Sequence, residues 1–141
     1  MASDNYGYRY GARKLVKFGV DSATSDITEG DMLTMGTAGY VQQAAAGSNV
    51  LVGFAAEGVS SPSSDGDVSI LVDVSPDAVY AFPPDAGSVT VGLKELTCDI
   101  GGARSVDIDA STDDVILIRD VDTSANLAFI SIVAAKQSGV S

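Results

Sequence analysis

The chain has 141 residues, 45% of them apolar and 19% charged, enough for one ordinary domain or for two very small β subdomains sharing a core. Nineteen Asp and Glu against eight Lys and Arg give a net charge of -11, which sets the folded surface against polyanions and argues against direct binding to DNA or RNA. The absence of His removes the usual neutral-pH base, zinc ligand and triad centre, and a single Cys98 can form no intrachain disulfide.

Charge is unevenly spread. Residues 1–17 hold Arg9, Arg13, Lys14 and Lys17 against Asp4 alone, so the remaining 18 acidic residues all lie in 18–141. The same segment holds Tyr6, Tyr8 and Tyr10, spaced by two, and an extended chain would put all three rings on one side. Residues 1–17 are therefore expected to form an arm that docks on a partner, Tyr and Arg supplying contact area and bidentate hydrogen bonds; the alternative is a flexible leader whose tyrosines rest on the chain's own body. The first residues hold no apolar stretch that could act as a signal peptide, and no apolar run is long enough to span a bilayer. The chain thus reads as a soluble protein made in a cytoplasm, without membrane contact.

From Leu15 onward, short apolar runs alternate with turn residues. Strands are expected at Leu15–Val20, Met32–Met35, Gly39–Gln43, Leu51–Glu57, Val68–Val74, Ala78–Phe82, Ser88–Leu93, Ser105–Asp109, Val115–Arg119 and Leu127–Ala134. Breakers include Thr28–Asp31, Gly36–Gly39, Ser60–Asp67, Pro83–Asp85, Gly101-Gly102 and Asp120–Asn126. Only Gln42–Ala46 suggests a helical turn, ended by Gly47. The expected fold is all-β: a small barrel or β-sandwich of short strands, of β-tulip or SH3-like type, with an extended N-terminal arm. Residues 18–141 read as a single β domain, divisible into two lobes meeting near 83–87, where Pro83-Pro84 stiffens the chain.

Sites for chemistry are scarce. The run Asp107 to Asp114 suggests a calcium loop, but Thr112 stands where an EF-hand needs Gly and Ile118 where it needs Glu, so a solvated strand edge explains it better and no metal is expected. No glycine-rich loop leads into Lys-Ser/Thr, and no paired carboxylates sit beside a nucleophile, so neither a cofactor nor enzyme activity is expected. Gly53 is read as a bulge or a close backbone approach, and Cys98 as a small buried apolar residue.

One ordered set of motifs remains: Asp26-Ile-Thr-Glu-Gly-Asp31, Gly39-Tyr-Val through Ala46-Gly47, Val52-Gly-Phe-Ala-Ala-Glu57, and Gly66-Asp-Val-Ser-Ile-Leu-Val72. In order and spacing, over roughly residues 15–75, it resembles the capsid decoration, or cement, proteins of tailed double-stranded DNA bacteriophages. Their chains show Gly-Asp, Gly-x-Val, Ala-Gly, Val-Gly-x-Ala and Gly-Asp-x-Val in that sequence. The second half is similar in general character only. The resemblance implies a non-enzymatic virion protein that binds the outer surface of an assembled icosahedral capsid, commonly as homotrimers, and braces it. Its partners would be the major capsid protein and itself. On that account Tyr6, Tyr8, Arg9, Tyr10, Arg13 and Lys14 would lie on the capsid, and Val79, Tyr80, Phe82 and Pro83 would supply a contact between subunits. The competing reading is a surface-displayed carbohydrate- or receptor-binding β module, for which acidic loops with Tyr40 or Tyr80 would form the site.

Overall fold

A computed structural model describes residues 6–36, 39–133 and 136–137. Among them the chain forms eleven strands: β1 (Gly7–Tyr10), β2 (Leu15–Val20), β3 (Met32–Met35), β4 (Tyr40–Gln43), β5 (Gly53–Ala55), β6 (Ser69–Asp73), β7 (Val79–Phe82), β8 (Thr97–Gly102), β9 (Ser105–Asp107), β10 (Ile116–Asp122) and β11 (Leu127–Ile132). The fold is all-β, as expected, and consists of two sheets. β2, β4, β3, β5 and β6 close a barrel in that order, while β1, β7, β11, β10, β8 and β9 form a six-stranded sheet. All pairings are antiparallel except β2 with β4.

Strand alternation explains how two short sheets share one interior. In β3, Leu33 points into the barrel while Met32 points out of it; in β5, Ala55 points in and Phe54 out. The barrel is filled by Val20, Leu33, Val41, Val52, Ile70 and Val72. Its outward residues Met32, Leu51 and Phe54 join Tyr80, Phe82, Ile118 and Ile130 of the sheet in a second core lying between the two. Phe54 stacks on Tyr80 with centroids 3.9 Å apart and planes 11° from parallel.

Several expectations change. The lobes do not meet near 83–87: the barrel ends at Asp73 and the sheet resumes at Val79, so the changeover is the 74–78 segment. Pro83-Pro84 instead extends β7. The Pro83 carbonyl accepts from Val106 N at 3.0 Å and Asp85 N donates to Val106 O at 2.8 Å, so the segment lies along the outer edge of β9. Proline tolerates such a place because only its missing N–H is lost. The strand expected at Ser88–Leu93 is irregular chain ending in a single 3-10 turn at Val91–Leu93. No helical turn occupies 42–46: β4 runs to Gln43, and Ala45 bridges to Gly102. Gly101 and Gly102, expected to break the chain, instead end β8.

The greatest change concerns residues 6–17. They are not a separate arm: β1 is paired with β7 through Gly7–Ala81, Tyr8–Tyr80 and Tyr10–Val79, and Leu15–Lys17 belong to the barrel. Residues 1–5 of the expected arm lie outside the described residues, as do Ala134 and the last four positions.

Candidate interaction surface

Two buried carboxylates hold the N-terminal segment down. Asp73, at the end of β6, is fully buried; its Oδ2 accepts from the Tyr80 hydroxyl at 2.7 Å and from Arg13 Nε at 3.1 Å. Its Oδ1 accepts from the backbone N–H groups of Lys14 and Ser75, both at 3.1 Å. Arg13 also donates to the Tyr80 oxygen at 3.1 Å, closing a three-membered Asp–Arg–Tyr ring of contacts. Burial of Tyr80, together with its bond to the anionic Asp73, pushes its phenol far above the ordinary value, so Tyr80 is a permanent donor.

Asp31 repeats the arrangement at the other end of β1. It too is fully buried, and it accepts from Arg104 Nε at 2.6 Å and Nη2 at 3.1 Å, a bidentate pair. Thr28 N, Gln43 Nε2 and the Tyr6 hydroxyl complete its shell at 2.9, 2.8 and 3.3 Å. Tyr6 itself is 4% exposed and stacks on Phe82 at 5.7 Å. A buried carboxylate is tolerable only when such donors surround it. Both latches cross between the sheets: Arg13 and Tyr6 come from the N-terminal segment, Asp73 and Asp31 from barrel segments, Tyr80 from β7 and Arg104 from the β8–β9 turn.

Between the latches, β1 forms an edge. Among the described residues its one partner strand is β7, which leaves its other side without a neighbouring strand. The register shifts between Tyr8 and Tyr10, Arg9 being the extra residue of a bulge. Tyr8 opposes Tyr80 and meets its ring edge-on at 5.5 Å, on the barrel side of the sheet. Tyr10 opposes Val79, the adjacent residue, and so faces the other way. The three tyrosines therefore do not share one side: Tyr6 and Tyr8 turn inward, and the bulge turns Tyr10 outward.

Of the six residues expected to touch a partner, Tyr6 is core and Arg13 is committed to Asp73 and Tyr80, its guanidinium carbon 4.5 Å from the centre of the Tyr8 ring. Tyr8 (38% exposed), Arg9, Tyr10 (49%) and Lys14 remain on the surface. The expected subunit contact is corrected more fully. Val79, Tyr80 and Phe82 are 4%, 1% and 0% exposed within one chain, so they are core, and Pro83 is half-buried beside β9.

The acidic stretch after β9 is organised by a residue the sequence reading passed over. Asp99 accepts from the backbone N–H groups of Thr112, Asp113 and Asp114 at 3.2, 2.8 and 2.9 Å. Burial works to raise its pKa, but these three bonds outweigh burial and hold the carboxyl below its usual range. Neighbouring Cys98 is buried, and burial together with Asp99, Asp107 and Asp114 pushes its thiol up to about 12, which leaves it protonated and inert. Among the described residues no three His, Cys, Asp or Glu side chains converge as metal ligands.

Asp31, Asp73 and Arg104 were missed as well. The available signal was an acidic residue, Asp73, inside the apolar run Ile70–Val74, where a charge must find a partner. No protein-family model matches the chain, and no curated protein sequence matches it.

Proposed function

We propose that this chain is a non-enzymatic structural protein of a virion, one that binds the outer surface of an assembled icosahedral capsid and stabilises it. The observation that carries the reading is the β1 edge: an exposed strand bearing Tyr8, Arg9 and Tyr10, tied down at one end by the Arg13–Asp73 ion pair and at the other by Tyr6 on the buried Asp31. A pre-ordered edge loses little conformational freedom on binding, and repetition over many identical shell positions multiplies a modest contact. The reading also draws on the motifs by which the chain resembles cement proteins. Gly30-Asp31 supplies one latch, Val52–Ala55 includes β5, and Ser69–Val72 lies in β6. Shell attachment as homotrimers belongs to the same proposal.

The competing carbohydrate-binding reading needs exposed rings on one face. Of the two rings it names, Tyr80 is buried and Tyr40 is half-buried with its ring against Gly19 and Gly66, which weighs against it.

The test is sedimentation of the intact chain with undecorated heads of the virus that encodes it. Removing the whole segment would be uninformative, since it also removes Tyr6 from the core and Arg13 from the buried Asp73. Arg9→Glu with Tyr10→Ser is the suitable variant, both positions being exposed. We expect saturable binding by the unaltered chain, and loss of that binding in the variant with its β circular dichroism unchanged. Absence of binding by the unaltered chain overturns the function; equal binding by the variant overturns β1 as the anchor.

A further inference from the structure

Beside β1 lies a cleft of about 230 Å³, lined by Tyr6, Tyr8, Tyr80, Arg9, Arg13 and Glu29, Tyr8 being the exposed one of the three tyrosines. That is below the few hundred to a thousand Å³ of sites for drug-sized ligands, and suits a group the size of one side chain. Its two arginines differ. Arg13 is neutralised by Asp73, to which it gives Nε, while Nη2 goes to Tyr80, leaving Nη1 outside both bonds. Arg9 has no ion-pair partner among the described residues, and its Nη1 reaches the carbonyls of Gly7 and Tyr8 only at 3.3 Å each. A guanidinium carries five donors in a planar fork that matches a carboxylate, so among the described residues Arg9 has charge and donors unspent.

We propose that this cleft binds a carboxylate carried on a small flat apolar group, Arg9 supplying the fork, Arg13 a further donor and the Tyr8 ring the apolar wall. The inference goes beyond the shell-binding reading and does not rest on it. Glu29 gives it a sign. As the one acidic group among the six lining residues named, it opposes an anionic ligand, so removing its charge must strengthen binding while removing that of Arg9 weakens it. A cleft that merely traps apolar molecules would respond to neither change.

The experiment titrates the isotope-labelled full chain with phenylacetate, and with phenylacetamide and phenethylamine as neutral and cationic counterparts, following backbone amide shifts. We expect saturable shifts at Gly7, Tyr8, Gly30 and Ala55 with phenylacetate, and binding weaker by about tenfold for the other two, the usual worth of a charge-assisted hydrogen bond. Arg9→Gln should weaken phenylacetate binding by about tenfold, Arg9→Lys by less, and Glu29→Gln should strengthen it. Equal binding of the three probes, shifts scattered away from the cleft, or indifference to both substitutions overturns the proposal. A second arm uses acetyl-Gly-Gly-Phe with its terminal carboxylate free. Tighter binding than phenylacetate supports the site as a receptor for a peptide terminus, and weaker binding supports it as a site for a free acid.

Discussion

Asp73 shows how much one side chain can decide. Its carboxylate is wholly buried and receives four donors, two from side chains and two from the backbone. Asp73→Ala would leave the Arg13 charge, the Tyr80 hydroxyl and two N–H groups without their acceptor. Breaking a buried pair in this way costs about 3–5 kcal/mol, far more than the pair gains net over a well-packed apolar replacement. Urea unfolding should therefore show a loss in that range for Asp73→Ala, and a loss below about 1 kcal/mol, the size of a surface ion pair, would show that the latch carries no weight. Asp99 gives a prediction with a pH sign. Its folded pKa is depressed, so the stability it contributes is present above the unfolded value and is lost as pH falls through the folded one. Asp99→Asn should cost about 1–3 kcal/mol at pH 7, the worth of weakened bonds to a charged acceptor. The gap between the two proteins should close only below pH about 3.9, on its way through the depressed folded value. A gap unchanged down to pH 2, measured by urea unfolding across that range, would remove the carboxylate charge from the account.

At the scale of elements, the strand that matters most is the one whose character was hardest to read. β2 and β3 fall at their expected bounds because Leu15–Val20 and Met32–Met35 are compact apolar runs between turn residues. Gly53 was legible too: a Cβ there would meet the Asp73 carbonyl oxygen at 2.3 Å, which is the close backbone approach its place in an apolar run suggested. β8 was not legible, since Asp99 and the Gly101-Gly102 pair look like a turn until Asp107 and Val106 are known to lie opposite. β1 was read correctly as extended; of the two readings of its tyrosines, docking on a partner and resting on the chain's own body, the second describes Tyr6 and Tyr8. Its composition, basic and rich in Gly and Tyr, describes an interface segment, and nothing local says that the surface it meets is the chain's own β7, some 70 residues on. Nor can spacing reveal a bulge, so the flip of Tyr10 was out of reach. The exposed residues of the candidate surface were thus named in advance, whereas the buried acids that hold it were not. β1 should accordingly behave as structure. Deleting residues 2–14 removes Tyr6 and Arg13 together and should lower the melting temperature strongly, while Tyr8→Ser with Tyr10→Ser should cost much less. Tyr6→Ala alone should cost about 3 kcal/mol, as for other large aromatic truncations in cores. Equal melting temperatures for the deletion and the unaltered chain would mean that β1 does not dock in solution.

For the molecule as a whole, the question is whether barrel and sheet unfold together. The barrel has its own filling, and a closed five-stranded barrel could in principle survive alone. Its outer wall argues otherwise. Met32, Leu51 and Phe54 are all fully buried, and what buries them is the sheet, through Tyr80, Phe82, Ile118 and Ile130. Losing the sheet would expose those three apolar side chains and strand Asp73 and Asp31, whose partners Tyr80 and Arg104 lie in the sheet and its β8–β9 turn. Each exposed side chain forfeits about 1.5–3 kcal/mol, and each stranded acid several more, against a total stability of about 5–15 kcal/mol for a domain of this size. A state with the barrel folded and the sheet open therefore has nothing left to hold it. Equilibrium unfolding should follow one transition, with far-ultraviolet circular dichroism, which sees all the strands, coinciding with tyrosine fluorescence, which sees Tyr6, Tyr8 and Tyr80 at the seam. Phe54→Ala, which empties the seam without touching the inner filling of the barrel, should cost about 3–5 kcal/mol while keeping the two signals coincident. Two separated transitions, in the unaltered chain or in Phe54→Ala, would mean that each sheet folds on its own and that the shared core is only a contact between finished units.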